Sequence, residues 1–333
     1  MIVLRRSHFG VLEQQIAQIL GAAISVSMIN IDFLMESVAN ERRAHELEIA
    51  ELVQKTLYPE HDPVIEHLDL GSFLVSSSET GGDYYGYILS PCGKTLSVLV
   101  GDVTGHGAPA ALVTAATSAF FKTVEHLNKS AEEGEIELDL HDPSFLLQLL
   151  NRIILETARG RLVMTFFVST IDLESGEMVY ANAGHNAPWV WRANPSRAAT
   201  PTKAATTATG AKKTFKIKLG GDKKKKKNWE NINSRGMRLG EVEEASFDCK
   251  RTQLNKGDIM VWYTDGWIEN TNTEMEEFGK MRCQKILEKN KDLPPDEMIE
   301  KLREASWDFY GDEPREDDVT IVIGKVTANW GDI

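Results

Sequence analysis

Apolar side chains recur at helical spacing near the start of the chain, at Leu12, Ile16, Ile19, Ala23, Val26, Phe33, Leu34 and Val38, and again among charges at Leu47, Leu52 and Val53. This periodicity predicts one long helix or two over residues 9–57. From Gly71 onward the pattern changes, and brief apolar runs alternate with turn residues. Strands are predicted at 73–76, 84–89 and 95–100, followed by a helix over 108–128 rich in small residues, an acidic loop over 131–142, and a second helix over 145–157. Strands at 165–172 and 178–182 are joined by Glu174-Ser175-Gly176-Glu177, a hairpin signature. Further strands are expected at 188–192, 246–254, 259–263 and 319–326, with helices at 278–290 and 295–310. Adjacent antiparallel strands exclude a doubly wound parallel sheet, and the class read from the pattern is α+β.

Two stretches depart from this alternation. Residues 16–35 are almost wholly apolar, yet Gln18, Asn30 and Asp32 lie among them. A charge inside a membrane span is costly, so membrane contact is disfavoured against a helix packed on a partner chain or a preceding domain. Residues 193–235 are rich in Ala, Thr and Lys, with five lysines at 223–227. They read as a solvated surface insertion, a polybasic arm for anionic lipid or an acidic partner being the alternative.

The insertion also hides how acidic the body is. The chain carries −13 overall, but outside 193–235 there are 25 basic residues against 48 acidic ones. Nucleic acid is therefore not an expected partner. Cys92, Cys249 and Cys283 lie far apart, which argues against a disulfide framework or a thiolate metal site, and a cytoplasmic setting is the plain expectation. No signal peptide is read after Met1.

Candidate chemistry centres on Asp102, in the run Ser97-Val98-Leu99-Val100-Gly101-Asp102-Val103-Thr104-Gly105-His106-Gly107. It reads as a buried strand ending on an aspartate, a glycine turn, and a helix with Pro109 in its first turn. Asp83 in Gly81-Gly82-Asp83-Tyr84-Tyr85, Asp265 after the run 259–263, and Asp317 with Asp318 ahead of 319–323 occupy similar strand-to-turn positions. Converging acids repel without a counter-charge, and hard oxygen donors select Mg²⁺ or Mn²⁺ over Zn²⁺. Asp317 and Asp318 point oppositely on an extended chain, so one of them is expected to ligate, Asp317 by preference. Asp172 and Asp258 read as turn formers.

Together, Gly-Gly-Asp-Tyr-Tyr, Gly-Asp-Val-Thr-Gly-His-Gly followed by Ala110-Ala111-Leu112, Ala183-Gly184-His185-Asn186, Gly236-Met237-Arg238-Leu239-Gly240, Tyr263-Thr264-Asp265-Gly266 and Asp317-Asp318-Val319-Thr320 resemble the SpoIIE/RsbU-type serine/threonine phosphatases, a branch of the PPM (protein phosphatase 2C) superfamily. The resemblance covers about residues 48–326. It implies a central antiparallel β-sandwich flanked by helices, and two Mn²⁺ or Mg²⁺ ions. Asp102 would bridge the ions, Asp265 and Asp317 would complete one, the Val103 carbonyl would add an oxygen, and Asp83 would bind or orient water. Gly86 stands where many relatives carry a second aspartate.

The resemblance further implies a phosphorylated STAS-domain substrate of the anti-anti-sigma type. It also implies a sensor-linked helix ending like Gln54-Lys55-Thr56-Leu57-Tyr58-Pro59. The expected layout is thus residues 1–58 as a helical linker that dimerises through 12–57, and 59–333 as the phosphatase domain. His106 is a candidate proton donor to the leaving oxygen, with a structural hydrogen bond as the alternative; His185 and Asn186 either position the site or hold a turn. No Cys sits in a Cys-x5-Arg loop, which disfavours a cysteine nucleophile. A catalytically inactive binding module on the same fold is the competing reading.

Overall fold

The computed structural model describes residues 28, 33–38, 40–42, 45–46, 48–78, 80–132, 141–195, 202–203, 228–311 and 315–331. The chain divides into two units, Met1–Ala50 and Glu51–Ile333. The described residues of the first unit are all helical. The second opens on a short helix, α1 (residues 51–55), and then builds two antiparallel sheets.

One sheet has five strands in the order β1 (Leu68–Val75), β11 (Val319–Val326), β10 (Ile259–Tyr263), β6 (Trp189–Trp191) and β8 (Trp229–Asn231). The other has six, in the order β2 (Asp83–Leu89), β3 (Thr95–Val103), β4 (Met164–Asp172), β5 (Glu177–Ala183), β9 (Lys250–Gln253) and β7 (Thr202–Lys203). Helices α2 (Ala108–Glu132) and α3 (Pro143–Ala158) pack with the six-stranded sheet. Helices α4 (Gly266–Glu269), α5 (Lys280–Lys289) and α6 (Pro295–Tyr310) pack with the five-stranded one.

Side-chain alternation explains this layering. Along β3, Leu96, Val98 and Val100 point into a core shared with Met260, Trp262 and Val322 of the facing sheet. Leu99 and Val103 point the other way, onto Val113, Phe121 and Leu150 of α2 and α3. Along β10, Met260 and Trp262 face the sandwich interior, while Ile259, Val261 and Tyr263 meet Leu287 and Leu302 of α5 and α6. Both faces of the central strands are covered, so they appear in sequence as continuous apolar runs. Between the sheets, the Trp262 indole donates to Ser169 Oγ at 3.1 Å, giving its buried N–H a partner.

The α+β sandwich with flanking helices is as expected, and several boundaries differ. Strand β3 runs three residues beyond the predicted 95–100, so Asp102, expected at a strand end, sits inside the ladder opposite both Asp83 and Thr165, one residue before the strand closes. The predicted strand over 246–254 shrinks to Lys250–Gln253. The 193–235 insertion is not loop throughout: Thr202–Lys203 pairs with β9, Trp229–Asn231 pairs with β6, and Ile232 is fully buried. Two- and three-residue pairings of this kind rest on tertiary partners, and sequence composition does not signal them. The lysine run at 223–227 and nearly all of residues 16–35 lie outside the described residues. Among the described residues, no helix is long and apolar enough to cross a membrane.

Candidate active site

The acids gather at one end of the sandwich. Asp83, first residue of β2, is buried, and its Oδ2 accepts hydrogen bonds from Thr264 Oγ1 at 2.7 Å and Thr320 Oγ1 at 2.6 Å. Thr264 follows β10 and Thr320 lies on β11, so this carboxylate ties the six-stranded sheet to the five-stranded one. Burial, and next the charges of Asp102 and Asp318, hold the Asp83 carboxyl well above its ordinary range.

Asp317 and Asp318 are distinguished by their donors. Asp318 is buried. Its Oδ1 accepts from the Ser77 N–H at 2.7 Å and hydroxyl at 3.2 Å, and its Oδ2 from the N–H groups of Gly82 at 2.6 Å and Asp83 at 3.3 Å. Four donors occupy both oxygens. The Asp317 carboxylate receives the Asp318 N–H at 2.8 Å and no other hydrogen bond among the described residues, and its carboxyl is pushed up to about 6, first by burial and then by Asp265. The glycine pair ahead of Asp83 follows from the same geometry. A Cβ on Gly81 would run into the Asp318 carboxylate, and one on Gly82 would stand 2.8 Å from the Val103 carbonyl oxygen. The turn after β3 needs positive φ at Gly105 (85°) and Gly107 (80°).

Asp102 is pushed up to about 8, first by burial, then by Asp265, Asp317 and Asp318. Asp265 is raised chiefly by burial. Glu269, one helical turn beyond Asp265 on α4, is raised by burial and by Asp265. Sequence reading passed over Glu269, whose only signal was its i+4 spacing from Asp265. Among the described residues none of Asp83, Asp102, Asp265, Asp317 and Asp318 joins an ion pair. Nor do three acidic, histidine or cysteine side chains converge there at ligand distance. Hard cations take much of their coordination from water and backbone carbonyls. Mutually repelling carboxylates without a basic partner, beside an exposed glycine turn, therefore fit divalent cations chemically.

His185 joins the two sheets near these acids. It is buried; its Nδ1 lies 2.8 Å from Thr165 Oγ1 and its Nε2 3.1 Å from the Tyr263 carbonyl. A carbonyl only accepts, so Nε2 carries the proton and Nδ1 accepts from the Thr165 hydroxyl. Burial lowers the imidazole to about 4, which keeps it neutral. Thr165 faces Asp102 across the β3–β4 ladder, and Tyr263 is two residues from Asp265. His185 N–H also donates to Asn182 Oδ1 at 2.7 Å, closing the turn. Asn186 is half-buried, and His106 is exposed in the turn between β3 and α2.

The end of the N-terminal helix reaches the same glycines. Gln54 Oε1 accepts from the Gly81 N–H at 3.0 Å, and its Nε2 donates to the Gly81 carbonyl at 2.7 Å and Thr114 Oγ1 at 3.1 Å. Tyr58 donates to the Asp83 carbonyl at 3.0 Å and stacks on Tyr85 with ring centroids 5.9 Å apart. Elsewhere, Asp172 caps the β4–β5 hairpin through the N–H groups of Glu174 and Ser175, and Asp258 pairs with buried Arg192 at 2.9 Å.

The family model described as Stage II sporulation protein E (SpoIIE) matches residues 93–218 and 222–327. The chain belongs to the SpoIIE family. Among relatives of this SpoIIE-family chain, phosphoserine phosphatase RsbU of Bacillus subtilis (strain 168) is 23% identical over 278 residues, covering 84% of this chain and 69% of RsbU. The SiaA-PP2C domain of Pseudomonas aeruginosa superposes with a TM-score of 0.63 at 17% identity, over 86% of this chain and 98% of that one. The SpoIIE phosphatase domain of Bacillus subtilis, with a fragment of its regulatory domain, gives a TM-score of 0.54 at 16% identity, over 79% of this chain and 64% of that one. These structural likenesses establish the PP2C-type fold, and the chain is a SpoIIE/RsbU-type member of it.

Proposed function

We propose that this SpoIIE-family chain is a divalent-metal-dependent phosphoserine/phosphothreonine protein phosphatase. The observation that supports it most is the gathering of Asp102, Asp265 and Asp317, each raised above its ordinary range, with no basic side chain among the described residues paired to them. Asp102, Asp265, Asp317 and the Val103 carbonyl are the residues that would hold two Mn²⁺ or Mg²⁺ ions. Bound there, such ions supply water activation at neutral pH and charge neutralisation of the phosphoryl group. Asp83, fixed by Thr264 and Thr320, orients water beside them. Asp318 is occupied by its four donors and serves the turn. His106, exposed next to the strand of Asp102, is the proposed proton donor to the departing serine or threonine oxygen.

The substrate proposed is a phosphorylated STAS-domain protein of the anti-anti-sigma type, following the family resemblance and the naming of RsbU as a phosphoserine phosphatase. The N-terminal segment is proposed as a dimerising, signal-carrying helix. In support, Met28, Met35, Val38 and Ile49 of the first unit are exposed apolar residues at heptad-compatible spacing, as is Leu52 in the second.

Hydrolysis of a phosphoserine peptide tests the reaction. We expect turnover that requires Mn²⁺ or Mg²⁺ and falls at least about a hundredfold in Asp102→Asn and Asp317→Asn. No turnover would favour a binding module on this fold, and metal-independent turnover would overturn the metal-dependent reading.

A further inference from the structure

A cavity is lined in part by His185. Its volume is about 600 Å³, and its walls include Asn182, His185, Ser234, Arg235, Met237 and Asp248. The Thr165–His185 pair links its wall to the strand of Asp102: Thr165 Oγ1 meets the imidazole at 2.8 Å and faces Asp102 in the ladder.

The rim that carries Arg235 is held firmly. The Asp248 N–H donates to the Arg235 carbonyl at 2.9 Å, and Asn182 Nδ2 donates to Asn233 Oδ1 at 2.8 Å. Leu239 exchanges backbone hydrogen bonds with Met164, at 3.0 and 2.8 Å. Gly236 lies so close to the Asn182 carbonyl and the Phe247 ring that no Cβ would fit.

Against that fixed backbone, the Arg235 side chain is exposed, and among the described residues its guanidinium has no carboxylate partner. Nearby arginines are engaged: Arg238 with Glu241, Arg251 with Glu177, and Arg192 with Glu230 and Asp258. Asp248, the cavity's acid, has its own partner. The buried Ser234 hydroxyl, in the same wall, has no hydrogen-bond partner. In a chain this acidic, a guanidinium with no carboxylate partner among the described residues suits a negative group, and its planar fork suits a carboxylate in particular.

We infer that this cavity is a substrate-recognition pocket in which Arg235 binds the carboxylate of an Asp or Glu flanking the phosphorylated serine or threonine. The inference rests on the hydrolytic reading above and adds a sequence preference to it.

Phosphoserine peptides differing only by Glu, Gln or Lys at each flanking position, assayed with Mn²⁺, test it. The wild-type chain should favour Glu over Lys in kcat/KM by about tenfold at one position, the scale of a charge-assisted hydrogen bond. Arg235→Ala should abolish that ratio, Arg235→Glu should invert it, and Arg235→Lys should retain part of it. A ratio near one in the wild-type chain, or the same ratio in all variants, would overturn the assignment of Arg235. Absence of turnover on every peptide by the wild-type chain would overturn the hydrolytic reading and this inference with it.

Discussion

Burial and the surrounding charges push Asp102 up to about 8 and Asp317 to about 6. The folded chain thus retains protons that the unfolded chain releases near pH 4, and its stability falls as pH rises from there through about 8. On the proposed metal-dependent reading, a bound divalent cation would take over the role of those protons. Without divalent cations we expect the melting temperature to drop by about 5 °C between pH 5 and 8. Mn²⁺ should raise it more at pH 8 than at pH 5.5, and Asp102→Asn should remove most of the fall; scanning calorimetry at several pH values would reveal it. Asp83, Asp102 and Asp265 were legible in sequence because glycines or a strand end mark each one. The division of labour between Asp317 and Asp318 was legible only in part, since the Ser77 and Gly82 donors that occupy Asp318 lie more than 230 residues away. Glu269 offered no motif at all.

At the scale of elements, the Gly81–Gly82 turn is where β2, β3 and the end of the N-terminal helix meet. Gly82 N–H serves Asp318, its carbonyl accepts from Val103 N–H at 3.2 Å, and its Cα faces the Val103 and Gly105 carbonyls. Gly82→Ala should displace the Val103 carbonyl and weaken Mn²⁺ binding by about tenfold, read by isothermal titration, with the far-ultraviolet circular dichroism spectrum retained. Unchanged affinity would mean that this carbonyl does not bear on the metal. Long elements such as α6 and β10 were legible to the residue, because their periodicity or continuous apolar run spans the whole element. Strand β8 was not. Trp229–Asn231 sits among polar neighbours and gains its strand form from pairing with Trp189–Trp191 and from Lys280, whose Nζ lies 5.0 Å from the Trp189 ring centre and 2.7 Å from Asn231 Oδ1.

For the molecule as a whole, the boundary between the two units falls at Ala50, so Gln54 and Tyr58 travel with the larger one. A chain beginning at Glu51 therefore keeps the contacts to Gly81 and Asp83 while losing most of the exposed apolar helix face. Light scattering after size exclusion should give a dimer mass for residues 1–333 and a monomer mass for 51–333; monomers in both cases would refute the dimerising helix. The sandwich class was readable from hairpins and alternating strands, whereas the order of strands within each sheet was not, because it depends on pairings such as β1 with β11 that join the two ends of the unit.

The Asp83 carboxylate, bonded to Thr264 and Thr320, acts as a rivet through both layers of the sandwich, and His185 drives a second one from Thr165 to Tyr263. Both fasten the layers at the end where the charges crowd. Sliding one layer over the other by a single pleat would tear out both rivets together, so alignment of the sheets and integrity of the acid cluster are one mechanical condition. A force or a partner that shears the sandwich would switch off the cluster without touching any of its carboxylates.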